Sequence, residues 1–181
     1  MIDKETLESI STKAQKKSVK KGEFLLRKGE SSGSIFVVAE GCLRSYVVDK
    51  KGKEHVIQFA HENCVIGDFE CLIKDSPAAL HIDALESSEV YVFNKSDIAG
   101  ADTETLNIYN NLYYEQVCVL QRRVVQLLGG TADERYLEFS RIFPNLLNRV
   151  PQKMIASYLG IAPESLSRVR NEIAKRKRDV S

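Results

Sequence analysis

Hydrophobic positions along the chain change their rhythm three times. Near the start, Leu7, Ile10 and Ala14 recur at gaps of three and four, which predicts a short amphipathic helix over residues 3–15. From Val19 the pattern breaks into short runs rich in Val, Ile, Phe and Tyr, over 23–27, 34–39, 43–48, 55–60, 81–86 and 89–94. Gly22, Gly29, Gly33, Gly41, the Asp49-Lys50-Lys51-Gly52 turn and Gly67 punctuate them. Strands at about ten-residue spacing with glycine or charged turns predict an antiparallel barrel, sandwich or roll rather than a helix-alternating sheet.

The third rhythm starts near Asp102, and no glycine interrupts it until Gly129. Tyr113, Val117, Leu120, Val124 and Leu127 recur at gaps of 4, 3, 4 and 3, and Leu106 and Tyr109 extend the stripe upstream. This is a heptad seam on a helix about 35 Å long at 1.5 Å per residue. Either the chain's own barrel or a second helix could cover it. Its length favours a partner helix, so these five residues are the candidate dimerisation contacts. Gly129-Gly130 ends the helix and marks a hinge. Thr131 and Glu134 then form a capping box that opens a second domain, whose first helix runs to about Phe143 before Pro144. The reading divides the chain into a roll over 1–101, a dimerisation helix and hinge over 102–130, and a helical domain over 131–181.

The most specific stretch runs from Pro151 to Arg170. Pro151 suits the start of a helix carrying Ile155 and Leu159, Gly160 ends it, and Pro163 starts a second helix with Leu166, Val169 and Ile173 at gaps of three and four. Ala156 is small where the second helix must cross closely. Two helices joined by a tight glycine turn predict a helix-turn-helix. At about 100° per residue the apolar trio of the second helix gathers on one side, and Glu164, Ser165, Arg168, Asn171 and Lys175 point away from it. Polar groups at the leading turn with cations beyond them suit a reader of the DNA major groove.

Charge sharpens this picture where composition does not. The 181 residues are 43% hydrophobic and 28% charged, an ordinary globular mixture with a net charge of +1. Residues 150–181 hold seven basic and three acidic side chains, net +4, which leaves −3 for the rest. That asymmetry fits one domain meeting a polyanion, although a solvated basic tail would give the same count. The longest apolar run, 35–39, is five residues against the roughly 18 needed to span a bilayer, and the first twenty residues contain no apolar block. The chain therefore reads as cytoplasmic with no membrane partner. Cys42, Cys64, Cys71 and Cys118 match no zinc or redox spacing and are assigned no chemistry.

With these residues in place, the chain resembles the Crp/Fnr, or catabolite-activator, transcription regulators. The resemblance covers nearly its whole length: a glycine-punctuated roll of the cyclic-nucleotide-binding type, a long dimer helix, then a helix-turn-helix. The segments Glu134-Arg-Tyr-Leu, Val150-Pro-Gln-Lys and Ile155-Ala-Ser-Tyr-Leu-Gly-Ile are similar to a subgroup of that family. The resemblance implies an α+β protein with an N-terminal antiparallel β-roll (a double-stranded β-helix). By the Glu164-Ser165-x-x-Arg168 pattern it makes Glu164 and Arg168 the partners of bases, with Ser165 and Gln152 or Lys153 at phosphates. It further implies a homodimer on a near-palindromic operator, and contact with RNA polymerase if the protein activates. An effector would act by shifting the hinge.

The chain departs from the family at three places. Relatives that bind cyclic AMP carry Gly-Glu for the ribose and Arg-Ser or Arg-Thr for the phosphate. Here Gly67-Asp68 stands for the first pair and Pro77-Ala78-Ala79 occupies the second, so the arginine is missing. The candidate effector pocket is then Gly67, Asp68, Phe69, Glu70, Ala78 and Ala79, with cyclic AMP expected not to bind and no other cofactor expected. Either an unidentified small molecule or side chains such as Phe69 and Leu72 fill the roll. No cysteine precedes Cys42, so the cluster-binding cysteines of oxygen-sensing relatives are absent from this sequence, and His55, His61 and His81 read as strand or turn residues rather than haem ligands. Finally, a β-hairpin wing is not expected after the recognition helix, and the run from Lys175 to Arg178 is either its substitute at the phosphates or a tail. Two other classes remain: a ligand-sensing dimer that acts through protein partners, and a cupin-like metalloenzyme. The second needs clustered histidines, whereas His55 and His61 are six apart, and no nucleophile–base pair or phosphate-cradling glycine loop is present. No metal site is assigned.

Overall fold

The computed structural model describes every residue except Met1, Asp3, Ser32, Val180 and Ser181. The chain forms two compact units, residues 1–119 and 120–181. The first is built on β1 (Gln15–Val19), β2 (Phe24–Leu26), β3 (Ser34–Glu40), β4 (Leu43–Val48), β5 (Glu54–Ala60), β6 (Val65–Gly67), β7 (His81–Ala84) and β8 (Ser88–Asn94). They make two four-stranded antiparallel sheets, ordered β1-β8-β3-β6 and β2-β7-β4-β5. Helices α1 (Lys4–Lys13), α2 (Phe69–Lys74) and α3 (Lys95–Ala99) complete the unit, together with the first part of α4 (Thr103–Gly129).

β3 explains the longest apolar run of the sequence, because both of its faces are covered. Phe36 and Val38 point into the core between the sheets with Leu26, Leu43, Ile66, Ile82 and Val90. Ile35 and Val37 point the other way, into a second core with Ile10, Leu72, Phe93, Ile108, Tyr109 and Leu112. The alternation that places successive side chains on opposite faces therefore finds apolar neighbours on each side.

Two strands escaped the sequence reading of six. β1 is Gln-Lys-Lys-Ser-Val, four of five residues exposed, an edge strand whose lysines carry no apolar alternation. Lys16 pairs with Glu89 and Lys17 lies 3.9 Å from Glu23. β6 is only three residues long. Two side-chain expectations are also corrected. Leu72 does not fill the roll: it packs in the outer core, and Phe69 lies against that core with its ring 5.9 Å from Tyr113. The side chains that pack between the sheets are instead Cys71, Ala78 and the strand residues of the inter-sheet core. Tyr109 does not extend the exposed seam; it is 8% exposed, its ring 5.3 Å from Phe93 and its hydroxyl donating to the Asn94 carbonyl.

The three histidines have separate tasks in the roll. His55 pairs with Asp49 at 2.8 Å, and this with the Lys51 and Lys53 amides holds the Asp49 carboxyl down at about 2. His61 lies 3.6 Å from Glu62, and His81 stacks on Tyr46 with ring centroids 5.1 Å apart while Nδ1 accepts from the Lys28 amide. No group of three or more metal-binding side chains occurs among the described residues.

The second unit contains the rest of α4, α5 (Ala132–Ile142), α6 (Leu146–Arg149), α7 (Gln152–Leu159) and α8 (Pro163–Asp179). Thr131 and Glu134 form the capping box in full, each side chain bonded to the other's backbone amide. Phe139, Leu146, Ile155, Leu159, Leu166 and Val169 are almost fully buried and form the apolar interior of the unit. The boundary between the two units lies at 119/120, inside α4. The physical reason is that α4 supplies side chains to both interiors: Ile108, Tyr109 and Leu112 to the roll, and Arg123 to the helical unit.

Arg44 is a buried polar anchor of the roll: 5% exposed, it forks onto Asp83 at 2.8 and 3.0 Å and reaches Glu54 at 2.6 Å. Asp83 is 7% exposed, so neutralising it strands a buried guanidinium. Asp83→Asn is expected to cost about 3–5 kcal/mol of stability in urea denaturation. The same change on an Arg44→Met background should cost far less, the difference measuring the pair.

Candidate nucleic-acid interface

The site is created by the turn between α7 and α8. Gly160 caps α7 in the left-handed region, φ 66°, and its N–H donates to the Ala156 and Ser157 carbonyls. A side chain there would be strained, and its Cβ would also stand 3.1 Å from Leu127 Cδ2. Ile161 N–H then returns to the Ala156 carbonyl at 3.0 Å, closing the turn before Pro163 starts α8. Ala156 is fully buried, as close helix crossing requires.

Burial splits α8 into two faces. Leu166, Val169 and Ile173 are buried, and Glu164, Ser167, Arg168, Asn171, Glu172 and Lys175 are exposed. Ser165 is half-buried at the edge between them, which sets it apart from the other candidates. Gln152 and Lys153 are exposed at the start of α7. Among the described residues, Gln152, Lys153, Glu164, Arg168, Asn171 and Lys175 make no ion pair and no side-chain hydrogen bond. Their donors and acceptors are free for an outside partner. Ser167 was missed by the sequence reading: it lies on the exposed face between Glu164 and Asn171, and only the helical projection marks it. Arg176 is held at 3.4 Å from Asp133, and the side chains of Lys177 and Arg178 lie outside the described residues.

α4 presents a second candidate surface. Tyr113, Val117, Leu120, Val124 and Leu127 are 45%, 43%, 37%, 53% and 40% exposed, although all five are large and apolar. The chain's own interior uses a different line of the same helix, through Ile108, Tyr109, Leu112, Gln116 and Arg123, each under 9% exposed. Gln116 donates to Gln58 at 2.8 Å inside the roll, and Gln58 in turn donates to the Val65 carbonyl. That buried line is polar at two of five positions, so periodicity alone did not find it.

The third candidate, the effector cassette, assembles only in part. Gly67 is buried in β6, where a Cβ would meet Ile35 Cγ2 at 2.5 Å, so strand packing alone requires glycine. Glu70 points to solvent and pairs with Lys74 at 3.0 Å. Asp68, Ala78 and Ala79 do come together. The Asp68 carboxylate, 7% exposed, accepts from the Cys71 amide at 3.1 Å and from the Ala79 amide at 2.8 Å. Ala78 is 3% exposed, its amide donating to the Glu30 carbonyl and its own carbonyl accepting from Gly29. The Asp68 carboxylate thus spends its acceptors on two backbone amides of the chain itself, and among the described residues no side-chain cation is hydrogen-bonded to it.

Comparison with known proteins agrees with this arrangement. Residues 16–101 match the cyclic nucleotide-binding domain family. The transcriptional activator protein Anr of Pseudomonas aeruginosa is 28% identical over 181 aligned positions, which cover 92% of this chain and 72% of that protein. FixK2 from Bradyrhizobium japonicum superposes with a TM-score of 0.73 at 21% identity, covering 91% of this chain and 86% of that one. A CRP/FNR-family transcriptional regulator from Thermus thermophilus gives 0.66 at 18% identity, covering 90% and 87%. The chain thus carries a cyclic nucleotide-binding domain over residues 16–101, and the relatives and structural neighbours that share its succession of roll, long helix and helix-turn-helix are transcription regulators of the Crp/Fnr kind.

Proposed function

We propose that the protein acts as a homodimer that reads a near-palindromic duplex DNA operator through α8 and regulates transcription without cyclic AMP. The carrying observation is the split of α8: one face packs into its own unit, and the other leaves Glu164, Ser167, Arg168 and Asn171 exposed and free of ion pairs among the described residues. An arginine can pair bidentately with guanine and a glutamate can accept from the cytosine amino group. Gln152, Lys153, Ser165 and Lys175 stand at the margins of that face, where phosphates would lie. Pairing of two α4 seams sets the separation of two α8 helices, and two-fold symmetry then asks for half-sites about 34–36 Å apart.

The dimer reading is supported by the exposed seam, since a row of five large apolar side chains left in water is a surface made for association. An activator working this way would also touch RNA polymerase. Its place is the cytoplasm, and no described helix is long and apolar enough to cross a membrane. The protein is not an enzyme in this reading. The cyclic AMP part rests on Asp68 and Ala78: a second negative charge beside the buried carboxylate, which no guanidinium bonds among the described residues, would cost several kcal/mol.

Selection of genomic fragments by the purified protein at low salt should recover a palindromic motif; failure to retain any duplex overturns the proposal. Arg168→Ala is expected to lose about 1–3 kcal/mol on that motif and to relax preference at one base pair of each half-site, measured by fluorescence anisotropy on a set of single-base variants. Val124→Lys places two charges face to face in the seam, and sedimentation should show it as a monomer with weakened operator binding. Calorimetry with cyclic AMP should give no heat at micromolar concentrations, and a micromolar Kd would refute this part of the reading.

A further inference from the structure

Within the second unit, the last turns of α4 meet the helix-turn-helix around a buried cation. Arg123 is 7% exposed, and its guanidinium carbon lies 3.9 Å above the Tyr158 ring centroid. Its Nη2 donates to the Tyr158 backbone carbonyl, and its Nε–H finds no acceptor among the described residues. Tyr158 is also 7% exposed, wedged between Phe139 and Phe143 with ring centroids 5.5 and 6.2 Å away. Burial and the neighbouring Arg135 both pull the proton affinity of Arg123 below that of an ordinary arginine.

No carboxylate balances this charge among the described residues. What does face it is the carbonyl end of α7, one residue before the last of that helix, and the negative face of an aromatic ring. An apolar side chain would fill the same niche with less desolvation. The guanidinium adds direction: a rigid plane, flat on one ring and donating to one carbonyl, fixes both the height and the rotation of α7 against α4.

A second contact runs beside it. The Arg135 stem lies where a Cβ on Gly130 would be 3.1 Å away, and its Nη1 lies 3.5 Å from the position of a Cβ on Gly160. Leu127 Cδ2 lies 3.1 Å from that same position. The turn that starts the recognition helix is therefore braced on the end of the seam helix, and the Gly129-Gly130 junction is spanned by side chains.

We infer that Arg123 is a positioning residue that fixes the recognition helix relative to the dimer seam and so sets the half-site spacing the protein accepts. The inference rests on the DNA-reading dimer proposed above. Arg123 itself needs no contact with DNA in this role. Its loss should leave the base preference within a half-site intact and blur the preference for the distance between half-sites, a readout that loss of general stability would not produce.

The test takes the motif recovered by the wild-type protein and measures Kd for it and for versions with one base pair added or removed between the half-sites. One base pair displaces and rotates a half-site along the groove, so the wild type should lose about tenfold or more. Arg123→Met should lose less than about threefold, while a base change inside the half-site costs it as much as it costs the wild type. Arg123→Met that remains a folded dimer and keeps the wild-type spacing ratio overturns the inference. If Arg123→Met does not fold, Arg123→Lys is read in the same way: its shorter ammonium cannot lie flat on the ring while donating to the carbonyl, and an unchanged ratio again overturns the role. A wild type that selects no duplex sinks the DNA reading and the positioning role with it. A wild type that selects one, with either folded variant keeping its ratio, sinks the positioning role alone.

Discussion

The molecule depends on how α4 divides its surface. One line of the helix is anchored in its own chain through Ile108, Tyr109, Leu112, Gln116 and Arg123, and the adjoining line offers Tyr113, Val117, Leu120, Val124 and Leu127 outward. A helix that spent all of its apolar side chains on its own roll could not also join two copies. Here the inward line substitutes an amide and a guanidinium for part of the apolar surface, held by Gln58 and by the Tyr158 carbonyl. The polar anchors leave the aliphatic residues available for a second helix.

The sequence showed this design unevenly. The outward seam was plain because its residues are apolar at heptad spacing, and so was the α7–α8 pair, where Gly160, Pro163 and two short apolar faces agree with one another. The inward line was hidden, since Gln116 and Arg123 read as surface residues until their partners on β5 and α7 are placed. β1 was missed for a related reason: an edge strand gains its stability from pairing with β8 and carries lysines where a central strand would carry valines. β6 was too short to leave a pattern.

The effector cassette shows where reading by correspondence stops. The absence of an arginine at Ala78 was visible in the chain, but the role of Asp68 was not. Its carboxylate joins the start of α2 to the Ala79 amide, so an internal anion satisfies donors on two segments at once. Glu70, which the linear order placed beside it, turns outward to Lys74 because successive helical residues point in different directions. Phe69 and Leu72 likewise leave the inside of the roll for its outer face.

The exposed lysines of β1 carry a last consequence. An open sheet edge offers unpaired amides and carbonyls on which an incoming chain can be templated, and Lys16 and Lys17 oppose a flat approach there because an added strand would have to desolvate two charged side chains and their acidic neighbours Glu89 and Glu23. Misassembly by strand addition is discouraged at this border, while the helical seam stays inviting. A border of this kind keeps fibre-like growth of the sheet from starting at β1.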